Sequence, residues 1–110
     1  MADILRGLFF MHMVISAYKM NTYETSKGER YSKGKIDRNI RYAKAQKLKE
    51  FKNANGYYFC EDCKTSQGYI DCSHDISVYE CQNSRRTELA WDVNNITLRC
   101  RDCHRKHDKS

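Results

Sequence analysis

The fold of this chain is decided by residues 94–107, with the sequence NNITLRCRDCHRKH. Its two cysteines, Cys100 and Cys103, repeat the spacing of an earlier pair, Cys60 and Cys63, and thirty-six residues separate the two pairs. A structural zinc site takes four tetrahedral ligands, and two such pairs supply all four with no open position. The sequence therefore predicts a structural zinc ion bound by these four cysteines.

The expected cellular compartment also favours metal binding by the paired cysteines. No stretch is organised as a signal peptide, because Asp3 precedes the apolar run 8–18 and no suitable cleavage site follows it. The run is also shorter than the roughly 20 residues that cross a bilayer. We therefore expect a cytoplasmic protein without a membrane partner, in which paired cysteines bind metal. Cys72 and Cys81 are expected to pack as small apolar side chains.

The net charge of +6 is unevenly distributed along the 110 residues. Residues 19–52 contain eleven Lys and Arg against four Asp and Glu, whereas residues 53–110 contain eight against nine. A basic segment beside a compact metal module favours binding to nucleic acid.

An α+β fold is predicted from the order of the segments. A basic helix is expected around Asp37, with an apolar stripe at roughly i, i+4 and i+7, and it should end at Asn55-Gly56. The stripe consists of Ile36, Ile40, Ala43, Leu48 and Phe51. Strand-forming residues flank the first cysteine pair and predict a β-hairpin there. A polar connection over residues 80–93, with Trp91 in the core, and a terminal helix from Arg101 to Lys109 should follow.

The first part of the chain is assigned separately. Residues 1–20 are rich in apolar residues and are expected either to pack on the core or to form the interface of a homodimer. Residues 21–35 contain Gly, Ser and Thr among charges, which is typical of a loop or linker. We therefore divide the chain into an N-terminal segment, 1–35, and one domain, 36–110.

Three stretches, taken in their order along the chain, resemble the HNH endonucleases, also called ββα-metal or His-Me finger nucleases. The sequence CSHDIS (72–77) resembles the segment with the first histidine, and WDVNNITLRC (91–100) resembles the segment with the central asparagine. The sequence CRDCHRKH (100–107) resembles the last segment of the zinc-stapled, four-cysteine branch. The resemblance covers about residues 55–108 and implies a ββα-metal finger, a β-hairpin plus a helix, of the kind found in phage and mobile-element nucleases.

The resemblance implies a role for each of three residues. His74 would be the general base that activates water to attack a DNA phosphodiester, since a neutral imidazole is a competent base at physiological pH. Asn95 would hold the loop that keeps His74 in register. His104 would bind one catalytic divalent ion, Mg²⁺ or another such as Mn²⁺ or Ni²⁺, alongside waters and a phosphate.

One position departs from the family pattern. Many members have Asp or His directly before the base, as a second metal ligand, where this chain has Ser73. Helical spacing from His104 favours the last two of four candidate ligands. These candidates are Asp71, Asp75, His107 and Asp108. In an alternative register, His74 would be the ligand and Asp75 the base.

The function predicted from the sequence is metal-dependent hydrolysis of DNA. Basic side chains in the predicted basic helix and in the predicted terminal helix are expected to hold phosphates, without reading the DNA sequence. They are Arg38, Arg41, Lys44, Lys47, Arg101 and Arg105. The alternative is a non-catalytic zinc module that binds nucleic acid or a protein partner through the same helix. The coincidence of His74, Asn95 and His104 at family spacing favours the nuclease.

Overall fold

The computed structural model describes residues 22–109, which form a small α+β fold with two two-stranded antiparallel sheets. The strands are β1 (Thr22–Glu24), β2 (Arg30–Ser32), β3 (Ile70–His74) and β4 (Ile96–Cys100). The α-helices are α1 (Lys33–Asn55), α2 (Val78–Asn83) and α3 (Arg101–Lys109), and short 3-10 helices cover Thr87–Trp91 and Val93–Asn95. Residues 1–20, expected to pack on the core or to form a dimer face, lie outside the described residues. Within residues 22–109, no helix has the length and apolar character that a membrane span requires.

Both ends of α1 are capped by local sequence. The Ser32 hydroxyl accepts a hydrogen bond from the Lys35 N–H at the start of the helix. Gly56 ends the helix with a φ of 83°, and its N–H donates to the Lys52 carbonyl at 2.7 Å. A left-handed residue in this place strongly favours glycine. The helix therefore ends at Asn55, as predicted.

The inner face of α1 differs from the predicted stripe at one position. Leu48 is only half-buried, and the inward position belongs to Lys47, which continues the spacing set by Ile40 and Ala43. The Lys47 side chain is 18% exposed, and its ammonium group lies 3.2 Å from the Glu61 carboxylate. Leu48 of the predicted stripe is therefore half-buried, like the neighbouring Lys47, and the other four residues of the stripe are buried.

Residues 21–35, predicted as a loop or linker, contain the β1–β2 hairpin instead. The hairpin is attached to the rest of the domain, since the Thr87 hydroxyl donates to the Glu24 carbonyl at 2.6 Å. The Tyr31 ring packs on Trp91 with 5.0 Å between ring centroids. These contacts place the hairpin on the same core as α1, a tertiary effect that the polar composition of the segment did not reveal.

The strand that contains His74 pairs with a partner later in the chain than the sequence predicted. β3 pairs with β4, from Ile70 opposite Cys100 to His74 opposite Ile96, and α3 follows β4 directly. The expected hairpin around the first cysteine pair is absent from the described residues, since the Glu61 N–H donates to the Leu98 carbonyl of β4 at 2.8 Å. Phe59 of the same segment packs on Phe51 with 4.8 Å between ring centroids. The helix predicted at residues 101–109 is confirmed.

The connection between β3 and β4 supplies much of the core. It folds into α2 and two 3-10 helices, where a polar connection was predicted. The central buried cluster consists of Ile36, Ile40, Cys81 and Ala90. Trp91 packs against this cluster, as expected, and is partly buried. Cys72 is half-buried, and all six cysteines are free thiols.

Candidate metal centre and active site

The four predicted zinc ligands are close together. The sulfur atoms of Cys60, Cys63, Cys100 and Cys103 all lie within 4.8 Å of one another, and those of Cys63 and Cys100 are 3.7 Å apart. Tetrahedral zinc with Zn–S bonds of about 2.3 Å requires sulfur atoms about 3.8 Å apart. The four cysteines are therefore positioned to hold a metal ion such as zinc.

The chemistry of the thiols also fits a metal ion. Burial would raise the pKa of Cys60, but hydrogen bonds, chiefly from the Cys63 backbone N–H, lower this pKa to about 6. The Cys100 thiol is the main group that raises the pKa of Cys103 to about 12. Four thiolates at this separation repel one another, so all four can be deprotonated only around a cation. Soft thiolates are the ligands that zinc accepts.

The first cysteine pair is joined to β4 by Glu61. The Glu61 N–H donates to the Leu98 carbonyl at 2.8 Å, and the Glu61 carboxylate accepts from the Leu98 N–H at 2.7 Å. The same carboxylate pairs with Lys47 of α1. Because Cys100 is the last residue of β4, these bonds bring the two cysteine pairs together.

His74, the last residue of β3, is half-buried and lies against the 3-10 helix. Its Nε2 atom is 2.7 Å from the Ala90 carbonyl oxygen. A carbonyl can only accept, so a neutral imidazole donates from Nε2 and leaves Nδ1 as a proton acceptor. Burial is the main cause that lowers the pKa of His74 below its usual value. The side chain is therefore neutral at physiological pH.

Asn95 joins the segment after His74 to the same 3-10 helix. Its Oδ1 accepts from the Ile76 N–H at 2.8 Å, and its Nδ2 donates to the carbonyls of Ile76 at 3.0 Å and Leu89 at 2.9 Å. The Asp75 N–H also donates to the Asn95 carbonyl at 2.9 Å. The buried amide thus joins the segment after His74 to the residue that precedes Ala90.

His104 of α3 lies between two carboxylates. Its Nδ1 is 3.3 Å from the Asp71 carboxylate of β3, and its Nε2 is 3.4 Å from the Asp108 carboxylate one turn later. All three side chains are at least partly accessible. The structure thus brings His104 together with two of the four candidate second ligands.

A cleft of about 490 Å³ lies between the end of β3 and α3. Its lining residues are His74, Asp75, Ser77, Glu80, His107 and Asp108. The Nε2 atom of His107 lies 3.1 Å from the His74 carbonyl and 3.0 Å from the Asp75 carbonyl. Asp108 lines this cleft and also contacts His104, so the surroundings of His74 and His104 are continuous.

The residues on either side of His74, Ser73 and Asp75, both bind Arg99. Ser73 is buried, and its hydroxyl accepts from Arg99 at 3.0 Å. The Asp75 carboxylate accepts from Arg99 and from the Thr97 hydroxyl, each at 2.8 Å. These contacts disfavour Asp75 as the general base. Arg99 was missed in the sequence, where a charge at an inward position of a strand was the available signal.

The basic residues of α1 differ in their availability. Arg38 and Arg41 are exposed along the helix. Lys44 is half-buried, and its ammonium group has no ion pair within residues 22–109. Lys47 is already paired with Glu61. The exposed arginines are therefore the best placed of these four to contact a phosphate.

The two basic candidates on α3 each have a partner. The Arg101 guanidinium stacks over the Tyr69 ring at 4.3 Å from its centroid. Arg105 forms an exposed ion pair with Asp102. Exposed pairs of this kind exchange readily for other partners because they contribute little to stability.

No protein-family model matches this chain, and searches of curated proteins and of solved structures find no match either. The functional assignment therefore depends on the residues and their geometry.

Proposed function

We propose that this chain is a metal-dependent DNA endonuclease of the HNH, or ββα-metal, type, which hydrolyses phosphodiester bonds. The observation that carries the proposal is the His74 imidazole, whose Nε2 is bound to the Ala90 carbonyl beside a cleft shared with Asp108. Asp108 in turn contacts His104. Residues from separate stretches of the sequence, the end of β3 and α3, thus lie around one cleft.

His74 has the properties of a general base in this arrangement. The hydrogen bond to Ala90 fixes the tautomer, so Nδ1 has a lone pair that can accept a proton from water. The lowered pKa of His74 keeps this lone pair free near neutral pH. Asn95 limits the motion of the adjoining backbone through three hydrogen bonds from its side chain to backbone groups. A base held in this way loses little orientational freedom when it reacts.

His104 would hold a catalytic divalent ion together with either Asp71 or Asp108, because the two carboxylates face opposite nitrogens of its ring. They offer imidazole nitrogen and carboxylate oxygen, a donor set that Mg²⁺ and Mn²⁺ accept. When bound, such an ion would stabilise negative charge on the scissile phosphate and on the leaving oxygen. The contacts favour Asp71 and Asp108 over His107, whose Nε2 faces two backbone carbonyls.

The four-cysteine site has a separate, structural role in this proposal. Its four ligands complete a tetrahedron, so zinc bound there has no open position for water or phosphate. Cys100 ends β4, and Cys103 lies in the first turn of α3. A metal ion on these cysteines would fix the start of the helix that holds His104.

DNA is the substrate that the charge distribution supports. Arg38 and Arg41 present exposed guanidinium groups on α1, and Arg101 lies beside Asp71, with 3.8 Å between its Nε and the carboxylate. Such contacts hold phosphates without selecting a sequence. We therefore expect cleavage with little sequence preference and strong sensitivity to salt.

Plasmid nicking tests the proposal directly. Purified zinc-loaded protein is incubated with supercoiled plasmid and Mg²⁺, Mn²⁺ or Ni²⁺, and the wild type is compared with His74→Ala. Loss of a general base should reduce cleavage by roughly 100-fold or more. Zinc content and thermal unfolding are measured in parallel to show that the variant is folded.

Two outcomes would contradict this assignment. Equal cleavage by His74→Ala would exclude His74 as the base. Salt-sensitive DNA binding by the wild type without cleavage in any of the three ions would favour the non-catalytic zinc module instead.

A further inference from the structure

Arg99 is a buried arginine in β4, directly before Cys100, and only 7% of it is exposed. A guanidinium removed from water requires compensating partners. Each of its three nitrogen atoms has one. Nε donates to the Asp62 carboxylate at 2.7 Å, Nη1 donates to the Ser73 hydroxyl at 3.0 Å, and Nη2 donates to the Asp75 carboxylate at 2.8 Å.

These three partners connect two functional parts of the molecule. Asp62 lies between Cys60 and Cys63, in the first cysteine pair. Ser73 and Asp75 are the residues on either side of His74. The planar guanidinium can bind all three at once because its donors point in different directions from one rigid group.

We propose that Arg99 is a positioning residue, which transmits the rigidity of the four-cysteine site to His74. The inference rests on the proposed function, in which His74 is the general base. Successive side chains of a strand point to opposite faces. Fixing Ser73 and Asp75 on one face therefore sets the direction of His74 on the other, toward the Ala90 carbonyl.

A purely structural role makes a different prediction. Removal of one partner from a buried ion pair leaves the other charge uncompensated, so a purely structural role would appear as a loss of stability. A positioning role instead lowers the turnover number of a protein that stays folded, with substrate binding unchanged. A comparison of the effects on kcat and on KM therefore distinguishes the positioning role from the purely structural role.

The mildest test removes the Asp62 anchor. The Asp62 side chain is 46% exposed, so water can replace it in Asp62→Ala. Asp102→Ala is a matched control, because Asp102 also directly precedes the second cysteine of its pair but contacts Arg105 instead of Arg99. We expect kcat for plasmid nicking to fall roughly tenfold in Asp62→Ala with KM within about twofold, and kcat to be unchanged in Asp102→Ala.

Arg99→Lys is the stronger variant. Lysine keeps the charge but has one nitrogen, which cannot reach Asp62, Ser73 and Asp75 together. We expect kcat to fall about 10- to 100-fold. Zinc content and the unfolding midpoint show whether Arg99→Lys is folded. If Arg99→Lys is not folded, Asp62→Ala is the variant that tests the proposal.

A measurement without DNA separates this inference from the proposed function. The His74 Nε2–H, held by the Ala90 carbonyl, should give a protected imidazole proton signal in nitrogen-edited NMR spectra of the zinc-loaded wild type. The signal should weaken or shift in Asp62→Ala and persist in Asp102→Ala. If the wild type does not cleave DNA, the proposed function fails while this comparison still decides the role of Arg99. The inference would be overturned if Asp62→Ala kept both the wild-type imidazole signal and the wild-type kcat. It would also be overturned if Asp62→Ala lost zinc and its folded structure without a selective fall in kcat.

Discussion

The Nε2 atom of His74 donates to the carbonyl oxygen of Ala90 across 2.7 Å, and this bond decides which ring nitrogen can act as a base. Ala90 belongs to the 3-10 helix that Asn95 binds through Leu89. The tautomer of His74 therefore depends on a segment between β3 and β4. The catalytic arrangement proposed for this chain therefore includes the connection between β3 and β4 as well as the strands and α3.

The pH dependence of cleavage should reveal the lowered pKa of His74. The base acts only when neutral, so the midpoint of the decline in activity at low pH should lie below about 6.5, the ordinary histidine pKa. The measurement is kcat/KM from pH 5 to 8 in a constant concentration of Mg²⁺, with zinc content checked at each pH. A decline centred above pH 7 would contradict a base whose pKa is lowered by burial.

The same shift predicts a contribution to stability. A histidine whose pKa is lower in the folded state binds fewer protons there than in the unfolded chain. Its contribution is fully present above the unfolded value of about 6.5 and is lost as the pH falls toward the folded pKa. Urea unfolding of wild type and His74→Gln should therefore show a difference that changes between pH 7.5 and 5.5. A difference independent of pH would rule out this linkage.

Asn95→Ala should destabilise the protein and misplace His74. The substitution leaves the N–H and C=O of Ile76 and the C=O of Leu89 without their partner, and each unsatisfied buried group costs about 1–3 kcal/mol. We expect the free energy of unfolding to fall by about 2–4 kcal/mol. The exposed neighbour Asn94 provides the control, since Asn94→Ala should change the free energy of unfolding by less than about 0.5 kcal/mol. Similar values for the two variants would show that the amide network is unimportant.

Loss of one cysteine ligand should unfold the C-terminal half of the domain. The four thiols converge within 4.8 Å, and metal bound at a small site contributes directly to folding. We expect Cys60→Ser to lose stoichiometric zinc and its cooperative unfolding transition. Cys72→Ser, which removes a thiol outside the cluster, should retain both. Zinc released by a thiol-reactive reagent measures the stoichiometry, and an unchanged value in Cys60→Ser would exclude this ligand set.

How much of this structure the sequence predicted depends on the range of the interactions. The cap at Gly56, the helix after Cys100 and the grouping of the four cysteines follow from local patterns or fixed spacing. The pairing of β3 with β4 does not, because strand partners are chosen by tertiary burial, here of Ile96 and Leu98.

The candidate site shows the same division. His74, Asn95 and His104 were singled out by the order and spacing of their motifs. The Arg99 network was not, because each of its hydrogen bonds joins residues at least 24 positions apart. The pairing of Lys47 with Glu61 was missed for the same reason, since helix periodicity gives the direction of a side chain but not its partner.

The salt dependence of DNA binding should distinguish the exposed from the paired basic residues of α1. Each phosphate contact releases counterions, so the slope of log K against log salt concentration falls by about 0.9 for each contact removed. Arg38→Gln combined with Arg41→Gln should therefore reduce the slope by about 1.8, with binding of the zinc-loaded protein to a labelled duplex measured by fluorescence anisotropy without added Mg²⁺. Lys47→Gln is the control, because its ammonium group is held by Glu61 and is largely buried. A larger change in slope for Lys47→Gln than for the arginine pair would mean that the DNA lies along the opposite side of the helix, toward the Phe51 face.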